Sequence, residues 1–174
     1  VRAVIKGKRV TLRKLRMSDA DKITEYCQDP LIPRWTRVPT PYTKKHAVKF
    51  IKDSIKKWKT GSYNMAVEHK GKLVGTVSLT KKDFDRAEIG WWTGKQHRGQ
   101  GFATESAKLL IKQGFNKLKL NKIYAHFKEG NKKSERVMQK AGMKYECLLR
   151  EDVKYKGKYY DAIQYCILKR EYKK

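Results

Sequence analysis

Three strand-like runs in immediate succession, residues 63–69, 72–80 and 86–93, lead into a glycine-bearing segment and then an amphipathic helical pattern. His69-Lys70-Gly71-Lys72 reads as a tight turn, so the first two runs predict an antiparallel hairpin. Upstream, residues 9–15 read as a strand, and Ser18 caps a helix running through Ile23, Tyr26 and Cys27. Four prolines between residues 30 and 41 predict a long ordered loop. Thr43 then opens a second helix, with Ala47, Phe50, Ile51, Ile55 and Trp58 near the 3.6-residue period and Gly61 just past its end.

Downstream of the glycines, Ala103, Ala107, Leu110, Ile111, Gly114 and Phe115 share one side of a helix. Residues 122–127 form the next strand, and Asn131 caps a helix that ends at Ala141-Gly142. Residues 143–150 and 162–169 close the chain as two strands. The order β, α, α, β, β, β, α, β, α, β, β predicts an α+β layout around one mixed sheet.

Lys and Arg number 43 against 17 Asp and Glu, a formal net charge of +26 on 174 residues. Such a charge attracts polyanions: phosphate-rich cofactors, ribosomal or other RNA, or acidic peptides. The basic residues are spread along the chain, the pattern of a solvated basic surface rather than a dedicated arm. Charge therefore bears on partners and not on the chemistry. No apolar run approaches the roughly 18 residues that span a bilayer, and residues 1–14 carry no apolar leader, so a cytoplasmic protein with no membrane contact is expected. Cys27, Cys147 and Cys166 show no paired spacing and read as reduced thiols acting as small hydrophobes. His69 and His126 lack metal-ligand companions, so no metal is expected.

The chemistry lies in Gln96-His97-Arg98-Gly99-Gln100-Gly101, between a strand and a helix. Glycines at 99 and 101 let the backbone turn sharply and meet a ligand without an intervening Cβ. The amides of Gly99, Gln100, Gly101, Phe102 and Ala103 would then point unpaired from a helix N-terminus, an arrangement that binds phosphate, with Arg98 as a nearby cation. There is no GxxxxGK[S/T] run and no GxGxxG after a first strand, which argues against a P-loop and a dinucleotide fold.

Gln96-x-x-Gly99-x-Gly101-x-Ala103 resembles the acetyl-CoA signature of the GNAT superfamily of N-acetyltransferases. Glu88-Ile89-Gly90-Trp91-Trp92 looks like that family's fourth strand. Asn131-x-x-Ser134-x-x-Val137-x-x-Lys140-x-Gly142-Met143 resembles its second cofactor-side motif. The segments around Val10–Asp19 and Pro30–Thr43, with Lys72-Leu73-Val74-Gly75-Thr76-Val77, are similar to the ribosomal-protein N-terminal acetyltransferase (RimJ/RimL-like) branch. The resemblance implies one domain over residues 1–174, with a central, mostly antiparallel twisted sheet flanked by helices. It also implies a ternary-complex reaction in which an amine attacks acetyl-CoA directly.

In that reading the fourth strand parts from the fifth at a bulge, and the pantetheine arm lies in the gap against backbone groups of Trp91, Trp92 and Thr93. Gln96, Arg98, Gly99, Gln100, Gly101, Phe102, Ala103, Thr104 and Asn131 complete the cofactor site, and Lys133, Arg136 and Lys140 meet the 3′-phosphate end. Glu88 is the candidate base, acting through water, and Ser134 the candidate proton donor to the thiolate. Many relatives place a tyrosine where this chain has Met138, so a tyrosine acid is not available at that position. Trp35, Tyr42, Phe84, Tyr155 and Tyr159 come from segments flanking the acceptor cleft. The acceptor is read as a protein or peptide N-terminus, with a small amine such as a polyamine or aminoglycoside as the second reading. A third is a basic RNA- or ribosome-binding module without catalysis. The oligomer is left open between monomer and homodimer.

Overall fold

Short reversals between consecutive strand-forming runs build most of the sheet. The structure, a computed structural model, describes residues 1–172. Its strands are β1 (Val4–Lys6), β2 (Thr11–Lys14), β3 (Ser62–His69), β4 (Lys72–Lys82), β5 (Arg86–Thr93), β6 (Lys122–Lys128), β7 (Lys144–Tyr155) and β8 (Lys158–Leu168). Its helices are α1 (Ala20–Cys27), α2 (Leu31–Trp35), α3 (Lys44–Lys57), α4 (Phe102–Asn116) and α5 (Lys132–Lys140). The strands form one sheet in the order β1-β2-β3-β4-β5-β6-β8-β7. Every neighbouring pair is antiparallel except β5 and β6. Parallel neighbours need a crossover, and α4 supplies it. The fold is thus the α+β class expected, with a mixed, mostly antiparallel sheet flanked by helices.

Four local details differ from expectation. The short strand β1 lies beyond the predicted elements. Within the proline segment, α2 forms a single turn, because Pro30 sits at its N-cap and Pro33 in its first turn, where an amide has no intrahelical acceptor to lose. Ser18 takes no part in capping; the Asp19 carboxylate accepts the Arg16 amide at 2.8 Å instead. The closing strands run to Tyr155 and from Lys158, because Lys156 (φ 49°) and Gly157 (φ 79°) reverse the chain in two residues. The other expected signals hold: Lys70 and Gly71 turn the first hairpin with positive φ, and Gly142 ends α5 at φ 88°.

Side-chain alternation gives the sheet two unlike faces. On one, Val77, Leu79, Ala87, Ile89, Ile123 and Phe127 pack under α4 and α5 residues including Leu110, Ile111, Phe115 and Met138. Burying each such side chain stabilises by about 1.5–3 kcal/mol. On the other, α1 and α3 bury Ile23, Tyr26, Ala47 and Ile51 against Leu15, Ala66 and Leu73. Arg13 locks β2 to the entry of α1: its guanidinium meets both Asp19 oxygens at 2.8 Å and Glu68 at 2.7 Å. No helix among the described residues is long and apolar enough to cross a membrane.

Candidate active site

The parallel pair is short, and that opens the site. β5 and β6 are paired only at Arg86↔Lys122, Ala87↔Ile123 and Glu88↔Tyr124; beyond these residues the strands diverge. β5 keeps an unbroken register with β4 over this length, so the gap opens without the expected bulge. The Gly94 amide donates to the Val74 carbonyl at 2.9 Å. Alternation from that point turns the backbone groups of Trp92 toward β4 and those of Trp91 and Thr93 into the gap. The Trp92 side chain instead packs edge-on against Tyr26, with ring centres 6.2 Å apart. Gly75 is required opposite: a Cβ there would lie 2.3 Å from the Trp92 carbonyl oxygen.

The glycine segment forms the cradle its residues predict. Gly99 and Gly101 have φ of 78° and 81°, in the left-handed region that favours glycine. A Cβ on Gly99 would meet nothing within 4 Å, so the loop faces open space. Among the described residues, the amides from Gly99 through Thr104 donate to no backbone carbonyl; the first α4 amide to do so is that of Glu105, to Gly101. A run of free amides at a helix N-terminus fits a pyrophosphate without further help.

Two arginines frame this cradle differently. Arg98 is turned inward, with Nη2 2.5 Å from Asp29 and Nε donating to the Thr93 carbonyl at 3.2 Å. It braces the loop against β5 and the end of α1, and its charge is already matched. Arg9, outside the expected set, donates to the Gln100 carbonyl at 2.8 Å and stands 5.3 Å over the Phe102 ring. A Cβ on Gly101 would come within 2.9 Å of its Nη2. No local spacing signals Arg9, which is 91 residues from Gln100. His97 is structural: Tyr26 gives its only hydroxyl proton to the Leu73 carbonyl at 2.9 Å, so the 3.0 Å contact has His97 Nε2 as donor. Burial, with nearby His69 and lysines, lowers the His97 pKa.

Glu88, Tyr124, His126 and Lys128 share the face opposite α4. Glu88 is half-buried, 3.4 Å from Lys82 Nζ and 3.8 Å from His126 Nδ1. Asn131 caps α5 through its Oδ1, which accepts the Ser134 amide at 3.2 Å. The Ser134 hydroxyl has no hydrogen-bond partner among the described residues. Met138 is 1% exposed, filling the core where a tyrosine acid would stand. Lys133, Arg136 and Lys140 are exposed on α5.

The five aromatics do not converge as a set. Trp35 and Tyr155 meet, together with Tyr160, around the Lys128 ammonium at 5.0, 4.3 and 4.4 Å. Tyr159 faces the other way and is 57% exposed, because Tyr160 has the parity that points to this face. Tyr42 is 8% exposed in the core beside α1 and α3, and burial pushes its hydroxyl up to about 12. Phe84 lies in the β4–β5 turn, at the end of β5 away from the gap. A pocket of about 360 Å³ lined by residues including Tyr26, Asp29 and Gln96 adjoins the cradle on the α1 side. No group of three or more metal-ligating side chains occurs among the described residues.

Known proteins are similar to this chain in sequence and in fold. The family model of the acetyltransferase (GNAT) domain matches residues 9–144. An uncharacterized N-acetyltransferase of Bacillus licheniformis, p20, is 33% identical over 170 residues, covering 94% of this chain and 95% of its own. Spermidine N(1)-acetyltransferase of Escherichia coli K12 is 32% identical over 108 residues, 61% of this chain and 58% of its own. RimL, a ribosomal L7/L12 alpha-N-protein acetyltransferase solved with coenzyme A, has the same fold at a TM-score of 0.87 and 16% identity, covering 95% of this chain and 97% of its own. The splayed parallel pair, the free-amide cradle and the match over most of the chain lead to one conclusion: the chain belongs to the GNAT family and is an acetyl-CoA-dependent acetyltransferase.

Proposed function

We propose that this enzyme acetylates the N-terminal α-amine of a protein or peptide, in the manner of the ribosomal-protein acetyltransferase branch. One observation carries the reading. The face where the acceptor enters presents aromatic rings and the cations Lys128 and Arg34, while its carboxylates Glu88 and Glu146 are already paired with Lys82 and Lys122. A polycationic amine would meet repulsion there, whereas a peptide carries one amine and a neutral backbone. The formal charge of +26 acts in the same direction and favours acidic proteins or a ribosomal, RNA-bearing surface as the encounter partner in the cytoplasm.

Acetyl-CoA supplies a thioester that the amine attacks, forming a C–N bond as the C–S bond breaks. Free amides of Gly99 to Thr104 hold the pyrophosphate, with Gln96 and Arg98 shaping the loop. Backbone groups of Trp91 and Thr93 hold the pantetheine arm in the gap, with the Asn131 side-chain amide at its edge. Glu88 removes a proton from the acceptor ammonium through water. The second proton, lost by the nitrogen as the amide forms, passes through the Ser134 hydroxyl to the departing thiolate, leaving the serine unchanged. Likeness to the spermidine enzyme supports a second reading, in which a small amine is the acceptor.

Incubation with acetyl-CoA, a peptide N-terminus library and a panel of small amines, read by mass spectrometry, separates the two. Selective acetylation of peptide α-amines is expected. Acetylation confined to spermidine and similar amines rejects the peptide reading while keeping the chemistry.

A further inference from the structure

Lys128 is a little-exposed residue whose ammonium, still touched by solvent, has no anion among the described residues. The residue is 7% exposed at the C-terminal end of β6, on the face that carries Glu88. Three rings enclose its ammonium: Tyr155 at 4.3 Å, Tyr160 at 4.4 Å and Trp35 at 5.0 Å. Among the described residues it makes no side-chain hydrogen bond and no carboxylate lies within 4 Å of it. Another cation, Arg34, stacks 5.0 Å over Trp35, and burial together with Arg34 lowers the Lys128 pKa.

Burying an ammonium is expensive unless it is paired. Cation–π contacts help keep the charge in place but do not satisfy its three N–H donors. An arrangement with two cations, aromatic walls and unspent donors is that of an anion site. Its position sets what the anion belongs to. Lys128 lies four residues along β6 from Tyr124, the partner of Glu88, which is about 13 Å of strand. Two extended residues span about 7 Å, and the third residue's glutamate side chain reaches about 5 Å further, so its carboxylate can meet Lys128 with the acceptor amine near Glu88.

Resting on the peptide-amine reading above, we propose that Lys128 is a specificity-determining residue that pairs with a carboxylate in the first three residues of the acceptor. The enzyme therefore selects acidic N-termini. The aromatic cage holds the ammonium rigid, so the carboxylate meets a preformed donor and not a flexible surface lysine. Arg34, exposed at the rim, adds attraction without fixing geometry.

The test uses the full chain and two pairs of probes, with uncharged C-termini where a peptide is used. One is Ala-Glu-Glu-amide against Ala-Gln-Gln-amide; the other is 8-aminooctanoate, long enough to approach both ends of the site, against its amide. The first pair is also presented as N-acetylated products, whose binding in saturating coenzyme A is read by calorimetry without turnover. Wild type is expected to prefer the Glu peptide by tenfold or more in kcat/KM and its product by a similar factor in affinity. Lys128→Met, which keeps the apolar stem inside the cage, should reduce both preferences to within about twofold. Lys128→Arg should retain most of the preference, which distinguishes lost charge from lost folding. Equal use of Glu and Gln probes by wild type, or a preference that survives in Lys128→Met, overturns the assignment. Turnover of neither peptide, with 8-aminooctanoate favoured over its amide in a Lys128-dependent way, rejects the peptide reading and upholds the anion site. Turnover of neither peptide and no such difference rejects both.

Discussion

Glu105, in the first turn of α4, accepts the Arg9 amide at 2.8 Å and the Val10 amide at 3.2 Å, and pairs with the Arg9 guanidinium at 3.2 Å. One carboxylate thus ties β2 to the cradle and holds the arginine that faces it. Burial pushes this carboxyl up, but the two amides and the guanidinium prevail and hold it below its usual range. A lowered folded pKa means stability that is present above the unfolded value of about 4.3 and lost as pH falls through the folded one. Glu105→Gln should cost about 1.5–3 kcal/mol near neutral pH, and less as pH falls through that acid window. Urea titrations at pH 7 and pH 4 check this; equal losses at both would reject the linkage. Freed from Glu105, Arg9 should also swing from the cradle and weaken acetyl-CoA binding several-fold by calorimetry.

Gly101→Tyr strikes the same place from the loop. Its φ of 81° strains any other side chain by about 1–2 kcal/mol, and the new Cβ would press on Arg9. Acetyl-CoA affinity is expected to fall at least tenfold while the helix content by circular dichroism stays near wild type. An unchanged affinity would remove the pyrophosphate assignment from this loop.

Glu88→Gln tests the base. The isosteric amide keeps the β5 register and cannot take a proton, so kcat/KM should fall by about 10²–10⁴ with acetyl-CoA binding intact. Turnover within twofold of wild type would return Glu88 to the role of a surface partner for Lys82.

Much of this was legible because it is local. The reversal at Lys70-Gly71, the Asn131 cap and the positive-φ glycines at 99, 101 and 142 are each dictated within a few residues. The short α2 was hidden because prolines that break a helix interior are tolerated in its first turn. The site was harder to read, because its members meet only through the sheet. Nothing near Arg9 announces Gln100, and the choice of Tyr160 over Tyr159 depends on a hairpin register that one residue of slip would reverse. The inward turn of Arg98 toward Asp29 likewise depends on where α1 ends, not on the motif that contains it.

Ser134→Ala separates chemistry from helix stability. Asn131, not Ser134, caps α5, and the Ser134 hydroxyl has no partner among the described residues. Removing it should leave the thermal midpoint within about 1 °C, since no interaction is lost, while kcat falls and acetyl-CoA affinity holds. Asn131→Ala is the contrasting variant, expected to lose about 1 kcal/mol of stability through the cap. Unaltered kcat in Ser134→Ala assigns the thiolate's proton to water.

Asp19→Asn addresses the buried end of β2. Arg13 and Asp19 are 8% and 5% exposed and share two 2.8 Å bonds, so the asparagine leaves a buried guanidinium with Glu68 as its remaining anion. Breaking such a pair costs about 3–5 kcal/mol, and Glu68 should keep the loss near the lower figure. Burial pushes the Asp19 carboxyl up, but hydrogen bonds from Arg13 and the Arg16 amide outweigh it and leave the pKa lowered. The stabilisation is therefore complete above the unfolded pKa of about 3.9 and disappears as pH drops through the lower folded value. Wild type and Asp19→Asn should differ most near pH 7 and converge toward pH 2 in urea unfolding. A gap that stays constant across this range would mean the lost stability comes from packing and not from the ion pair.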